Sequence, residues 1–87
     1  MSYRIVIRPG ALRQLAALPA KHRRQVAHHI DQLAENPRPP GAKKLSGIAD
    51  FYRLRSGIYR VVYQIQELSV TVTVVQIAHR KDVYRSV

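Results

Sequence analysis

Eighty-seven residues leave room for one domain with a single modest core, since a chain of this size buries only about 60% of the surface it exposes when unfolded. Fifteen Lys and Arg against five Asp and Glu give a net charge of +10, which opposes compaction and draws in a polyanion, nucleic acid or an acidic protein. The absence of cysteine excludes disulfides, Cys-ligated zinc and a thiol nucleophile, and no apolar run approaches the roughly 18 residues of a membrane span.

In chain order, Tyr3, Ile5 and Ile7 alternate with Arg4, Val6 and Arg8, which predicts a first strand ended by Pro9-Gly10. The same stretch is too short and too charged for the apolar region of a signal peptide, so a soluble, cytoplasmic chain is expected. From Ala11 the spacing turns helical through Leu12, Leu15, Ala16 and Leu18. Pro19 sits at the first turn of a second helix, whose apolar stripe is Val26, Ile30, Leu33 and Ala34, up to Asn36-Pro37. The other side of that helix, with Lys21, Arg23, Arg24, His28, Asp31 and Glu35, reads as a solvated face. His22, His28 and His29 point apart on a helix and supply no metal site, and no cofactor is expected.

Residues 37–50 hold Pro39, Pro40, Gly41 and Gly47 and lack periodicity, so they read as a loop, with Lys43 and Lys44 leading into Leu45. Three strands follow at 51–55, 58–66 and 69–78, each alternating and rich in Val, Ile, Tyr or Thr, with turns at Ser56-Gly57 and Glu67-Leu68. The expected architecture is one α+β domain over residues 1–87: strand, helix, helix, three strands, and a short tail that can form one helical turn. The sheet is antiparallel-rich, with both helices on one face and the other face open.

A hairpin closed at Ser56-Gly57 sets Arg53 opposite Arg60. It places Tyr52, Leu54, Tyr59, Val61, Tyr63 and Ile65 on one face and Arg53, Arg55, Arg60 and Gln64 on the other. A turn at Gly57-Ile58 would keep the same two faces. Opposed like charges cost stability, and no carboxylate occurs in either strand after Asp50, so a phosphate site accounts for these arginines better than solvation does. On this reading truncating Arg60 relieves repulsion and leaves stability unchanged or slightly raised. The tyrosines share their face with Leu54, Val61 and Ile65 and read as core, each hydroxyl finding a partner at the margin. The last strand is apolar on both faces, as a central strand would be, and delivers His79-Arg80-Lys81-Asp82-Val83-Tyr84-Arg85, a basic run suited to binding or catalysis. There is no Ser/His/Asp arrangement, no phosphate-binding glycine loop and no carboxylate pair in the cationic strands.

Tyr52-Arg53-Leu54-Arg55-Ser56-Gly57-Ile58-Tyr59-Arg60-Val61-Val62-Tyr63, followed by Ile77-Ala78-His79-Arg80-Lys81-Asp82-Val83-Tyr84, resembles the RelE branch of the RelE/ParE toxin superfamily. The resemblance runs nearly end to end and rests on G-x-Y-R-V-x-Y and H-R-x-x-V-Y. It implies a RelE-like fold and the toxin of a type II toxin–antitoxin system: a ribosome-dependent, metal-independent endoribonuclease that cuts messenger RNA in the A site through attack of the ribose 2′-hydroxyl. It also implies a cognate RelB-like antitoxin that holds the toxin inactive in a hetero-oligomer. Catalytic roles then fall on Arg53, Arg55, Arg60, Arg80 and Tyr84, with Lys43, Lys44, Lys81 and Arg85 as further cations along the RNA.

The first two basic positions are often Lys in that family, and a Lys can serve as a base where an Arg cannot. Proton abstraction is therefore expected of Tyr84, acidified by nearby guanidiniums, or of His79. Only three residues follow Tyr84, so no long C-terminal helix is expected. Two other readings are a ParE-like, non-catalytic inhibitor of a DNA topoisomerase (gyrase), which would not need Arg60, Arg80 and Tyr84 together, and a non-catalytic RNA-binding module, for which the basic sheet suffices.

Overall fold

The computed structural model describes residues 2–79 and 81. Strand β1 (Arg4–Ile7) runs into helix α1 (Pro9–Ala16) and helix α2 (Ala20–Gln32), and then come strands β2 (Lys43–Lys44), β3 (Phe51–Ser56), β4 (Tyr59–Gln66) and β5 (Thr71–His79). One five-stranded sheet results, in the order β1-β5-β4-β3-β2. β1 lies parallel to β5, and the other neighbours are antiparallel, so the α+β, antiparallel-rich architecture with a leading strand and two helices is the one expected.

Pro9 starts α1 rather than only ending β1. It occupies the first helical turn, where its missing N–H has no intrahelical partner to lose. Pairing runs right up to this point, because the Arg8 N–H donates to the Val74 carbonyl at 3.0 Å. With the helix phase set so close to the strand, the buried stripe is Ala11 and Leu15, with Leu18 against the core. Leu12, one residue and about 100° away from Ala11, is 52% exposed, which corrects its place in the expected stripe. In α2, Val26 and Ile30 are buried and Leu33 caps the end, while Lys21, Arg23, Arg24, His28, Asp31 and Glu35 are all exposed.

The core lies between these helices and the sheet face carrying Leu54, Val61, Tyr63, Ile65, Val72, Val74 and Ile77. A register shift opposite Val62/Tyr63 steps β5 by one residue, so that Tyr63 pairs with Val74 and Val62 with Gln76. The bulge returns Ile77 to the core side, which strict alternation from Val72 and Val74 would have denied it. It also explains why this interior strand looks apolar on both faces.

Lys43 and Lys44 were expected in a loop but form β2, paired with Arg53 and Tyr52. Two residues without apolar alternation carry no strand signal. Just before them, Ala42 N–H donates to the Pro39 carbonyl at 3.0 Å and Gly41 has φ +93°. Pro at the second position and a left-handed Gly at the third are the marks of a type II turn.

Candidate active site

The β3–β4 hairpin turns at Gly57-Ile58, with Ser56 paired to Tyr59. Gly57 has φ +60°, as the first central residue of a type II′ turn requires. Arg55 therefore lies opposite Arg60, and Arg53 opposite Val62, which corrects the expected Arg53–Arg60 pairing. The faces survive the change, since a shift of the two-residue turn moves both strands in step.

Lys43, Arg53 and Arg55 line one pocket of about 250 Å³, together with Pro40, Gly41 and Leu54. Lys43 arrives there because β2 pairs it with Arg53. Among the described residues no acidic side chain lines the pocket, and cations brought together in this way concentrate phosphate. Arg53 is half-buried and Arg55 exposed.

Arg60 shares their face but is only 2% exposed, contrary to the expectation of an open position. β4 is the middle strand, with Arg55 on one side of Arg60 and Ala78 on the other, whereas β3 has only the two-residue β2 beyond it. Lys44, paired with Tyr52, alternates to the opposite face from Lys43.

His79 is not brought to the arginines. It pairs with Tyr59 on the helix side, where its ring meets the Tyr59 ring edge-on at 5.8 Å, and Tyr59 in turn meets His22 at 5.3 Å. The His79 Nδ1 accepts the Lys81 backbone N–H at 3.3 Å, and Lys81 is exposed. Arg80, Tyr84, Arg85 and the expected C-terminal turn lie outside the described residues.

The tyrosines behave as core. Tyr63 is fully buried, stacks on Tyr52 at 5.9 Å and donates to the Pro37 carbonyl at 2.7 Å. Burial pushes its hydroxyl up to about 12. The Tyr52 hydroxyl accepts Arg38 Nε at 3.1 Å, and Arg38 Nη2 pairs with Glu67 at 2.8 Å. The hydrogen bond from Arg38, reinforced by that from Tyr3, holds the Glu67 carboxyl below its ordinary value. Sequence reasoning missed Pro40 and Gly41 as pocket residues and Arg38 behind them. The Pro-Pro-Gly run at 39–41 was the signal available for the first two.

Among the described residues no cluster of His, Asp and Glu is arranged to hold a metal, and no helix is long and apolar enough to cross a membrane. Residues 5–84 match the family described as the ParE toxin of the type II toxin–antitoxin system parDE. The chain belongs to this toxin family. Two of its relatives carry RelE names: it is 35% identical to a RelE-like toxin protein of Escherichia coli, over 97% of this chain and 92% of that protein. It is 34% identical to the mRNA interferase toxin RelE of Escherichia coli strain K12, over 93% and 86%. A chain of the archaeal RelE–RelB complex from Pyrococcus horikoshii OT3 superposes with a TM-score of 0.82 at 30% identity, covering 92% of this chain and 97% of that one. This family member is thus RelE-like in sequence and in fold.

Proposed function

We propose that this chain is the toxin of a type II toxin–antitoxin pair, an endoribonuclease that cuts messenger RNA on the ribosome and is restrained by a RelB-like antitoxin. The observation that carries the reading is the pocket where Lys43, Arg53 and Arg55 converge, with no acid among its described lining residues and Arg60 on the same face opposite Arg55. The relative named mRNA interferase toxin RelE and the RelE–RelB complex support the substrate and the partner.

In the proposed reaction the ribose 2′-oxygen attacks the adjacent phosphorus as its proton leaves, and the bond to the 5′-oxygen breaks, that oxygen taking up a proton. The products are a 2′,3′-cyclic phosphate and a 5′-hydroxyl. Arg53 and Arg55, permanently charged, hold the phosphate and stabilise the charge that grows on its non-bridging oxygens, and Lys43 closes the pocket around it. Arg60 and Arg80 are assigned to the same charge, and Lys81 and Arg85 to the flanking RNA, whereas Lys44, on the opposite face from Lys43, is left out of the site. The position of His79 against Tyr59, on the helix side, favours Tyr84 as the base.

The test is induction in growing cells, with and without the antitoxin, and mapping of new messenger RNA 5′ ends. Cuts inside translated codons are expected, with growth restored by co-expressed antitoxin. DNA damage with intact messenger RNA would establish the topoisomerase-inhibitor reading, and an absence of toxicity in the antitoxin-free cells would defeat the toxin reading altogether.

A further inference from the structure

One side of the cationic pocket is not regular structure. Pro40 and Gly41 line it from the turn at 39–42, and Lys43 follows at once. The strand that carries Lys43 has only two residues, too short a ladder to hold a loop by itself. Something else must set how far this lip stands from Arg53.

We propose that Arg38 is a positioning residue: fastened to Tyr52 and Glu67, it sets the turn at 39–42, and with it Lys43, at the separation from Arg53 that phosphate binding and cleavage require. The proposal rests on the nuclease reading above. Arg38 Nε donates to the Tyr52 hydroxyl at 3.1 Å, Nη2 pairs with Glu67 at 2.8 Å, and the guanidinium carbon stands 5.4 Å from the centre of the Tyr52 ring. The other Glu67 oxygen accepts the Tyr3 hydroxyl at 2.9 Å, which ties the anchor to the start of the chain. The backbone around Arg38 is held as well, by the bond from its own N–H to Asn36 Oδ1 at 3.1 Å and by Tyr63 on the Pro37 carbonyl at 2.7 Å.

The link from anchor to lip is short and stiff. Two prolines with fixed φ follow Arg38, and then comes the hydrogen-bonded turn with Gly41 at φ +93°. A displacement at Arg38 is therefore passed on to Lys43 rather than absorbed. Tyr52 is the neighbour of Arg53 on β3, so the anchor grips one face of the strand one residue from where Lys43 meets Arg53 on the other.

Magnitudes separate position from stability. The Arg38–Glu67 pair is 47% and 54% exposed, and pairs so open to solvent contribute little to folding. A misplacement of about 1 Å near the chemistry can cost on the order of 100-fold in rate. Arg38 should thus matter far more to turnover than to unfolding.

The experiment uses the purified full chain as wild type, Arg38→Ala, Arg38→Lys, Tyr52→Phe and the double variant Arg38→Ala/Tyr52→Phe. Ser2→Ala is the control, because its bond to Glu35 at 2.7 Å does not touch the loop. Single-turnover cleavage of ribosome-bound messenger RNA is measured at saturation, with amide hydrogen exchange at Leu45, whose N–H donates to the Phe51 carbonyl at 2.9 Å just beyond β2. Arg38→Ala should slow cleavage about tenfold or more and speed Leu45 exchange, with β5 amides and Ser2→Ala unchanged. Arg38→Lys should rescue little, since one ammonium cannot span both partners in the guanidinium's fixed fork, and the double variant should be no slower than Arg38→Ala alone. Unaltered Leu45 protection in Arg38→Ala, or full rescue by Lys, overturns the proposal. A wild type that does not cleave defeats the nuclease reading instead, and Leu45 exchange still decides whether Arg38 holds the lip.

Discussion

On the helix side of the β3–β4 hairpin, Tyr52, Leu54, Val61, Tyr63 and Ile65 meet the helices and one another; on the opposite side the same two strands carry Arg53, Arg55 and Arg60. The first set needs no explanation beyond burial, since each large apolar side chain taken from water contributes about 1.5–3 kcal/mol. In the second set Arg55 and Arg60 are paired directly across the strands, and like charges so placed repel one another. Burial alone does not account for exposed cations such as Arg55, whereas a bound polyanion does. Arg60 complicates the contrast, being as deeply buried as its apolar neighbours.

The widest separation of the two faces is expected between Tyr63→Ala and Arg53→Ala. Removing a fully buried aromatic ring should cost about 3–5 kcal/mol of stability, a large share of the roughly 5–15 kcal/mol that holds a domain together. Arg53→Ala should leave the urea midpoint unchanged or slightly raised while lowering cleavage about 10²-fold or more. Equal losses of stability in the two variants would show that the arginine face is structural.

Arg60→Ala sharpens the comparison. Its burial reverses the expectation of neutral or improved stability: the variant should lose about 1–3 kcal/mol by leaving a void in the middle strand as well as losing cleavage. Urea unfolding that matches wild type would return Arg60 to the purely functional class.

The smallest effects are those of pH. Tyr63 titrates near 12 when folded and near 10 when unfolded, so the stability contributed by its neutral hydroxyl is complete below pH 10 and is lost as pH rises towards 12. Tyr63→Phe should flatten that alkaline limb. Glu67 has the opposite sign: its carboxyl is held below its ordinary value by Arg38, so its contribution is present above the unfolded value and is lost as pH falls through the depressed one. It is exposed, and Glu67→Gln should change the acid limb only slightly. A large acid shift in that variant would mean that the Arg38 anchor stabilises the whole domain rather than the lip alone.

Alternation and helical spacing are local properties, and they were enough to read the element order apart from β2, the two faces of the hairpin, the α2 stripe and the tyrosine core from the residues alone. The arginine cluster was legible for the same reason, since the absence of any acid from β3 and β4 does not depend on how the strands meet. The hairpin register was open to local reasoning too: a type II′ turn wants Gly first, which selects Gly57-Ile58 over Ser56-Gly57. Other features depend on contacts between distant segments and left no local pattern. The parallel pairing of β1 with β5 and the capture of Lys43 by Arg53 join residues far apart in the chain. The turn of Leu12 to solvent and the bulge that restores Ile77 to the core follow from how α1 and β5 are held against the rest of the domain. The burial of Arg60 follows from its strand being central, a position that strand order confers and that no side-chain spacing within β4 encodes.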